Sequence, residues 1–150
     1  MNNPAAGGPV QIGPVQILVV EDNRVDATMV RYALKGQKDW PVELQFVQDG
    51  EEAIHYLEKK YKYAQVGTPD LVILDLNLPK RDGVEVLRAM RDHPLLTSVK
   101  VIVLSSSPVD VIERRVRSVD IQPDRCFTKP IGLDEVIELG EKIRHCYVSI

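Results

Sequence analysis

Hydrophobic positions fall along the chain in short dense runs separated by amphipathic stretches. Val15–Val20 (VQILVV), Leu71–Leu74 (LVIL) and Val101–Leu104 (VIVL) are nearly continuous apolar runs. Runs of that length and β-branched content predict strands buried on both faces. Val42, Leu44 and Phe46 alternate with Glu43 and Gln45, the period of a strand with one packed face. Cys126–Thr128 predicts a short fifth strand. Between these runs the period becomes helical. A helix starting at Asn23 or Arg24 brings Val25, Met29, Tyr32 and Ala33 to helical spacing, with Gly36 as its C-cap. Asp49-Gly50 predicts a turn into a second helix with Ala53, Ile54 and Leu57 on one face. Val84, Leu87 and Met90 mark a third helix, with Pro94 beyond its end. Residues 109–119 carry an apolar face (Ile112, Val116, Val119) beside a basic one (Arg114, Arg115, Arg117). A last helix over residues 132–146 turns Leu133, Val136, Ile137, Gly140 and Ile143 inward. Residues 59–69 and 79–83 read as loops.

Five strand–helix units in alternation imply an α/β fold with a parallel sheet and helices on both faces. Right-handed crossovers then favour a flavodoxin-like, doubly wound sheet of five strands in the order 2-1-3-4-5 with five helices. Residues 1–14, made of Asn, Pro, Ala and Gly among others, read as a flexible arm. Residues 15–146 read as one domain, and residues 147–150 as a short tail.

Composition narrows the picture without changing it. The 150 residues, 44% hydrophobic and 27% charged, suit one globular domain with a single good core. A net charge of −3 lacks the basic excess that nucleic-acid binding normally shows, and none is expected. Cys126 and Cys146 form neither a CxxC pair nor a cluster with histidine, so no disulfide framework or zinc site is expected. His55, His93 and His145 are scattered in polar surroundings and read as surface residues. No run approaches the ~18 apolar residues of a membrane span. The N-terminus lacks the basic and apolar regions of a signal peptide. A cytoplasmic location without membrane contact is the expectation.

In a sheet of this topology ligands bind outside the carboxyl ends of the strands, near the switch point. The polar residues that follow the apolar runs therefore matter most. They are Glu21 and Asp22, Asp75, Ser105 and Lys129. Three gathered carboxylates repel one another and call for a counter-charge. Mg²⁺, or Mn²⁺ in its place, supplies one through carboxylates, a carbonyl and waters. Asp22 and Asp75 are candidate direct ligands, the Asn77 backbone carbonyl a third, and Glu21 a ligand directly or through water. A carboxylate such as Asp75 can also attack phosphorus to give an aspartyl phosphate. Lys129 would then neutralise one phosphoryl oxygen and the Ser105 hydroxyl would donate to another, since positioning and charge neutralisation are most of what phosphoryl transfer requires. Each residue also has a plain structural reading: Asp22 or Ser105 as a helix cap, Lys129 before Pro130 as a strand end. Four strand ends carrying this set by accident is the weaker explanation.

With these pieces in order, the chain resembles the receiver domain of bacterial response regulators in two-component signalling. The matching segments are Ile17–Asn23 (ILVVEDN), Leu71–Pro79 (LVILDLNLP), Asp82-Gly83, Val101–Ser105 (VIVLS) and Thr128–Pro130 (TKP), spread over residues 15–146. The resemblance implies Asp75 as phosphoacceptor, Glu21 and Asp22 as the acidic pair for Mg²⁺, Ser105 as the switch hydroxyl and Lys129 as the phosphate-contacting lysine. The stretch Asp75–Leu87 (DLNLPKRDGVEVL) and Ser105–Ser107 are further similar to the single-domain regulators of cyanobacterial and bacterial phytochromes. That likeness implies a sensor histidine kinase partner, a phytochrome among the candidates. It also implies a homodimer through the fourth helix, fifth strand and fifth helix. There Tyr147, Val148 and Ile150 would add apolar surface, and Arg114, Arg115 and Arg117 would face Asp120, Asp124 and Asp134 across a two-fold axis.

One position departs from the family pattern. Many receivers carry a reorienting aromatic three residues before the lysine, where this chain has Cys126. Phe127 is one residue later and should face the other side of the strand. Two alternatives stand beside the receiver reading. A pseudo-receiver would keep the fold as a constitutive interaction module without the chemistry. An aspartyl-nucleophile phosphohydrolase would need a second carboxylate where Asn77 stands, and a carboxamide cannot transfer that proton. A protein that accepts a phosphoryl group, rather than an enzyme turning over an external substrate, is the expectation.

Overall fold

The computed structural model describes residues 12–117 and 122–150. Five parallel strands, β1 (Val15–Val20), β2 (Val42–Val47), β3 (Leu71–Leu74), β4 (Lys100–Ser105) and β5 (Arg125–Thr128), form one sheet in the order β2-β1-β3-β4-β5. The helices between and after them are α1 (Arg24–Lys35), α2 (Gly50–Leu57), α3 (Gly83–Asp92), α4 (Val109–Arg117) and α5 (Leu133–Ser149). The doubly wound α/β architecture and its strand order are as the pattern predicts.

Successive residues of a strand face opposite sides of the sheet, so each apolar run feeds two cores. Leu18, Val20, Val72, Leu74, Val101 and Val103 pack with α2, α3 and α4 on one face. Ile17, Val19, Leu71, Ile73, Ile102 and Leu104 pack with α1 and α5 on the other. Cys126 joins the first core and Phe127 the second, the opposed orientation that alternation requires.

Local chemistry starts each helix where the strands need it. Asn23, Asp49 and Asp82 cap α1, α2 and α3, each accepting from the backbone N–H three residues on. At α3 the cap is reciprocal, with the Glu85 side chain bonding back to the Asp82 N–H. Two glycines set helix distances. A Cβ on Gly140 would lie 2.2 Å from the Ala33 carbonyl oxygen, so α5 lies directly against α1. A Cβ on Gly50 would lie 1.6 Å from the Arg81 carbonyl oxygen, which seats the loop after β3 on the start of α2.

Four expectations need correction. On α1 the buried residues are Val30, Ala33 and Leu34, while Val25 and Tyr32 are exposed. On α5 the buried set is Val136, Leu139, Gly140 and Ile143, with Leu133 and Ile137 turned outward. In both helices two apolar stripes exist, and the sheet takes the one that the close α1–α5 approach allows. The stretch after Cys146 is not a tail but the last turn of α5. Tyr147 packs under the second core beside Trp40 (ring centroids 6.0 Å apart), and Lys100 donates to its carbonyl. Within the expected loop over residues 59–69, Tyr61–Tyr63 forms a 3₁₀ turn, with Tyr63 against Tyr56. Val119 and Asp120 lie outside the described residues, as does the arm before residue 12.

Candidate functional site

The sheet hydrogen bonding continues one residue past three of its strands and so fixes the site residues. Glu21 N–H donates to the Val47 carbonyl (3.0 Å), Asp75 N–H to Val20 (3.1 Å) and Lys129 N–H to Ser105 (2.7 Å). Glu21, Asp75 and Ser105 are the buried polar residues among those described, all at this edge in a molecule whose core is otherwise apolar. Burying such groups is costly unless they are bonded. The fold therefore holds together here groups it would expel on stability grounds.

Lys129 is the centre of the cluster. Its Nζ lies 2.7 Å from Glu21 Oε2, 2.8 Å from Asp26 Oδ2 and 2.9 Å from Asp75 Oδ2. The other oxygens of the two buried acids are held by backbone: Asn23 N–H donates to Glu21 Oε1 (3.0 Å) and Asn77 N–H to Asp75 Oδ1 (3.1 Å). Burial pushes the Glu21 carboxyl up to about 7, reinforced by the Asp75 charge and opposed by Lys129 and the Asn23 N–H. Burial alone would lower the Lys129 ammonium, but bonds to Asp26, Glu21 and Asp75 outweigh it and hold the group above its ordinary value. The first shift reflects burial of a carboxyl, the second the three acids gathered around one cation.

One oxygen from each of Glu21, Asp22 and Asp75 can be chosen so that all lie within 4.8 Å of one another. Opposite ligands of an octahedral Mg²⁺ are about 4.2 Å apart. Two buried acids and one exposed one, all hard oxygen donors, thus suit a small divalent cation. The loop that follows Asp75 is fixed closely. A Cβ on Gly83 would lie 2.5 Å from the Asp75 carbonyl oxygen, so the start of α3 lies beneath the acid. Lys80, in the left-handed backbone region (φ 67°), pairs with Asp49 at 3.5 Å.

Ser105 is 1% exposed, and its Oγ accepts from Ser107 N–H at 3.4 Å, so its own proton remains to be donated. Arg115 of α4, expected on a solvent-facing basic stripe, folds back instead. It donates to the Asn77 side-chain oxygen (2.8 Å) and to Asp82 (3.2 Å). Asp124, exposed just before β5, accepts from Val101 N–H at 2.7 Å. Arg115, Asp124 and Tyr147 each make contacts within the chain.

The sequence reading missed Asp26. It lies in the first turn of α1, where an acid is already explained by the helix dipole. Nothing local distinguishes a dipole partner from a carboxylate that reaches a lysine 103 residues away.

The comparisons with known proteins place the fold in a family. The chain belongs to the response regulator receiver domain family, whose model matches residues 17–140. Within it, the chain is similar to response regulator Rcp1 of Synechocystis, 39% identical over 136 residues that make up 91% of this chain and 90% of that protein. Among solved structures it is similar to the phosphorylated cyanobacterial phytochrome response regulator RcpA. That match has 34% identity and a TM-score of 0.80, over 91% of this chain and 96% of RcpA. The bacteriophytochrome response regulator AtBRR follows at 31% identity and TM-score 0.73, over 87% and 92%. This is a signalling family, and the likeness to its phytochrome branch extends over nearly the whole chain.

Proposed function

We propose that this protein is a phosphorylation-controlled signalling relay. Asp75 takes a phosphoryl group from a phosphohistidine of a sensor kinase, and a phytochrome histidine kinase is the donor we favour. The observation that supports this most is the ammonium of Lys129 held against Asp75 among buried acids, an arrangement that stability alone does not explain. In the reaction an Asp75 carboxylate oxygen attacks phosphorus, the P–N bond breaks, and the imidazole leaves with the bonding pair. Lys129 neutralises one phosphoryl oxygen, and Ser105 donates its hydroxyl proton to another. Glu21, Asp22, Asp75 and the Asn77 carbonyl would hold Mg²⁺ or Mn²⁺. The bound cation supplies charge neutralisation at the transferring group. The Mn²⁺-bound form of response regulator Rcp1, similar at 30% identity and TM-score 0.77, supports the choice of ion.

The working unit in this reading runs from Val15 to the end of α5, and acts in the cytoplasm without nucleic acid or membrane. Output runs through α4, β5 and α5. Loading the site draws Ser105 toward the new anion and biases α4. Pairing of two copies on that surface, with its arginines, acids and C-terminal apolar residues, is part of the proposal. The test is phosphotransfer from a phosphorylated phytochrome kinase to wild type and to Asp75→Asn, with light scattering before and after. Label on wild type only, with a shift toward dimer mass, is expected. Transfer that survives Asp75→Asn, or a monomer throughout, overturns the acceptor or the dimer part respectively.

A further inference from the structure

An ammonium has three protons to donate. Lys129 points them at three carboxylates, Glu21, Asp26 and Asp75, at 2.7–2.9 Å. Two of those acids also belong to the oxygen cluster suited to a cation, and the third does not. Lys129 and a cation therefore draw on the same two buried carboxylates, Glu21 and Asp75. A phosphoryl group on Asp75 would need a lysine proton as well. Of the three partners only Asp26 has no second role at the site. Its side chain is 31% exposed against 3% and 6% for Glu21 and Asp75. Its backbone is fixed, since its N–H donates to the Asn23 cap at 3.0 Å and so ties it to the end of β1.

We propose that Asp26 is a positioning residue for Lys129, drawing the ammonium toward α1 so that Glu21 and Asp75 can turn their oxygens to a divalent cation. This rests on the receiver reading above. Asp26 touches neither Asp75 nor the cluster of cation donors in this role; it acts through the lysine. Without it, the ammonium concentrates on the two buried acids and shields them.

The test is a titration with Mn²⁺ alone, read by loss of the electron paramagnetic resonance signal of the free ion. The proteins are wild type, Asp26→Asn, Lys129→Met and the double variant, each checked for folding by circular dichroism. Asp26→Asn should weaken Mn²⁺ binding by about five- to tenfold, the worth of one ordinary hydrogen bond in a part-buried site. In the Lys129→Met background the same change should cost only about twofold, the residue of long-range charge. Asp26→Glu should recover most of the affinity, and Asp92→Asn, at the far end of α3, should change nothing. An equal cost of Asp26→Asn in both backgrounds overturns this inference alone, because Asp26 would then act by charge and not through Lys129. A wild type that takes up no Mn²⁺ overturns the receiver reading and this inference with it.

Discussion

Replacing Lys129 by Met removes the counter-charge of the site and leaves its acids in place. Lys129 is 8% exposed, and Glu21 and Asp75 are 3% and 6% exposed, so water reaches little of the resulting charge. Taking one partner out of a buried ionic group costs about 3–5 kcal/mol. The lower end applies here, because Asp26 is partly solvated and the Met side chain still fills the volume. A loss of about 3 kcal/mol corresponds to a fall in Tm of roughly 6–12 °C for a domain of this size. A divalent cation can take over the neutralising role, and in the variant it no longer competes with an ammonium. Mg²⁺ at about 100 times its Kd stabilises a folded protein by about 2.7 kcal/mol. The variant, with the tighter Kd, should gain more than wild type, by about 1.4 kcal/mol for each tenfold difference in Kd, and so close part of its deficit. The assay is urea unfolding followed by circular dichroism, in EDTA and in millimolar MgCl₂. A variant as stable as wild type in EDTA would refute the buried-charge reasoning. A deficit that Mg²⁺ leaves unchanged would refute the shared use of the carboxylate oxygens.

Other consequences follow from the same contacts. Gly140→Ala forces a Cβ to within 2.2 Å of the Ala33 carbonyl, so α1 and α5 must part. It should cost about 1–3 kcal/mol in denaturant unfolding, and an unchanged midpoint would contradict the packing described. Deleting residues 147–150 strips the Tyr147 ring from Trp40 and the last carbonyl bond from Lys100. That truncation should lower Tm by several degrees, where a true tail would leave it unmoved. Burial, with the Glu113 carboxylate adding, pushes the Cys126 thiol up to about 11. Its reaction with a disulfide reagent should be slow at pH 8 and rise about tenfold per pH unit toward pH 10, since only the thiolate reacts. Fast reaction at pH 8, assigned to Cys126 by peptide mass, would contradict that environment.

The strands and the ends of the strands were legible because burial on both faces leaves no room for polar residues until the sheet edge. VQILVV stops at Glu21 and LVIL at Asp75 for that reason, and the site follows from topology. Helix faces were less legible. Val25 and Tyr32 share one stripe of α1, and Val30 and Ala33 another; periodicity groups residues but does not say which group the sheet receives. Long-range contacts were not legible at all. Asp26 looks like a dipole partner, Arg115 like a solvated cation, and Gly50 and Gly140 like ordinary turn and helix glycines. Each acquires its role from a residue distant in sequence: Lys129, Asn77, Arg81 and Ala33. The end of α5 went unrecognised for the same reason, since Trp40 and Lys100 extend it.

The central claim is that Asp75 is a phosphoacceptor working with bound cation. Its most direct test is the intact mass of the protein after incubation with acetyl phosphate and Mg²⁺, wild type beside Asp75→Asn. A single labile phosphoryl adduct on wild type, absent from Asp75→Asn and absent in EDTA, is the result predicted here. A folded wild type that gains no adduct with Mg²⁺, or a variant that gains the same one, would contradict it.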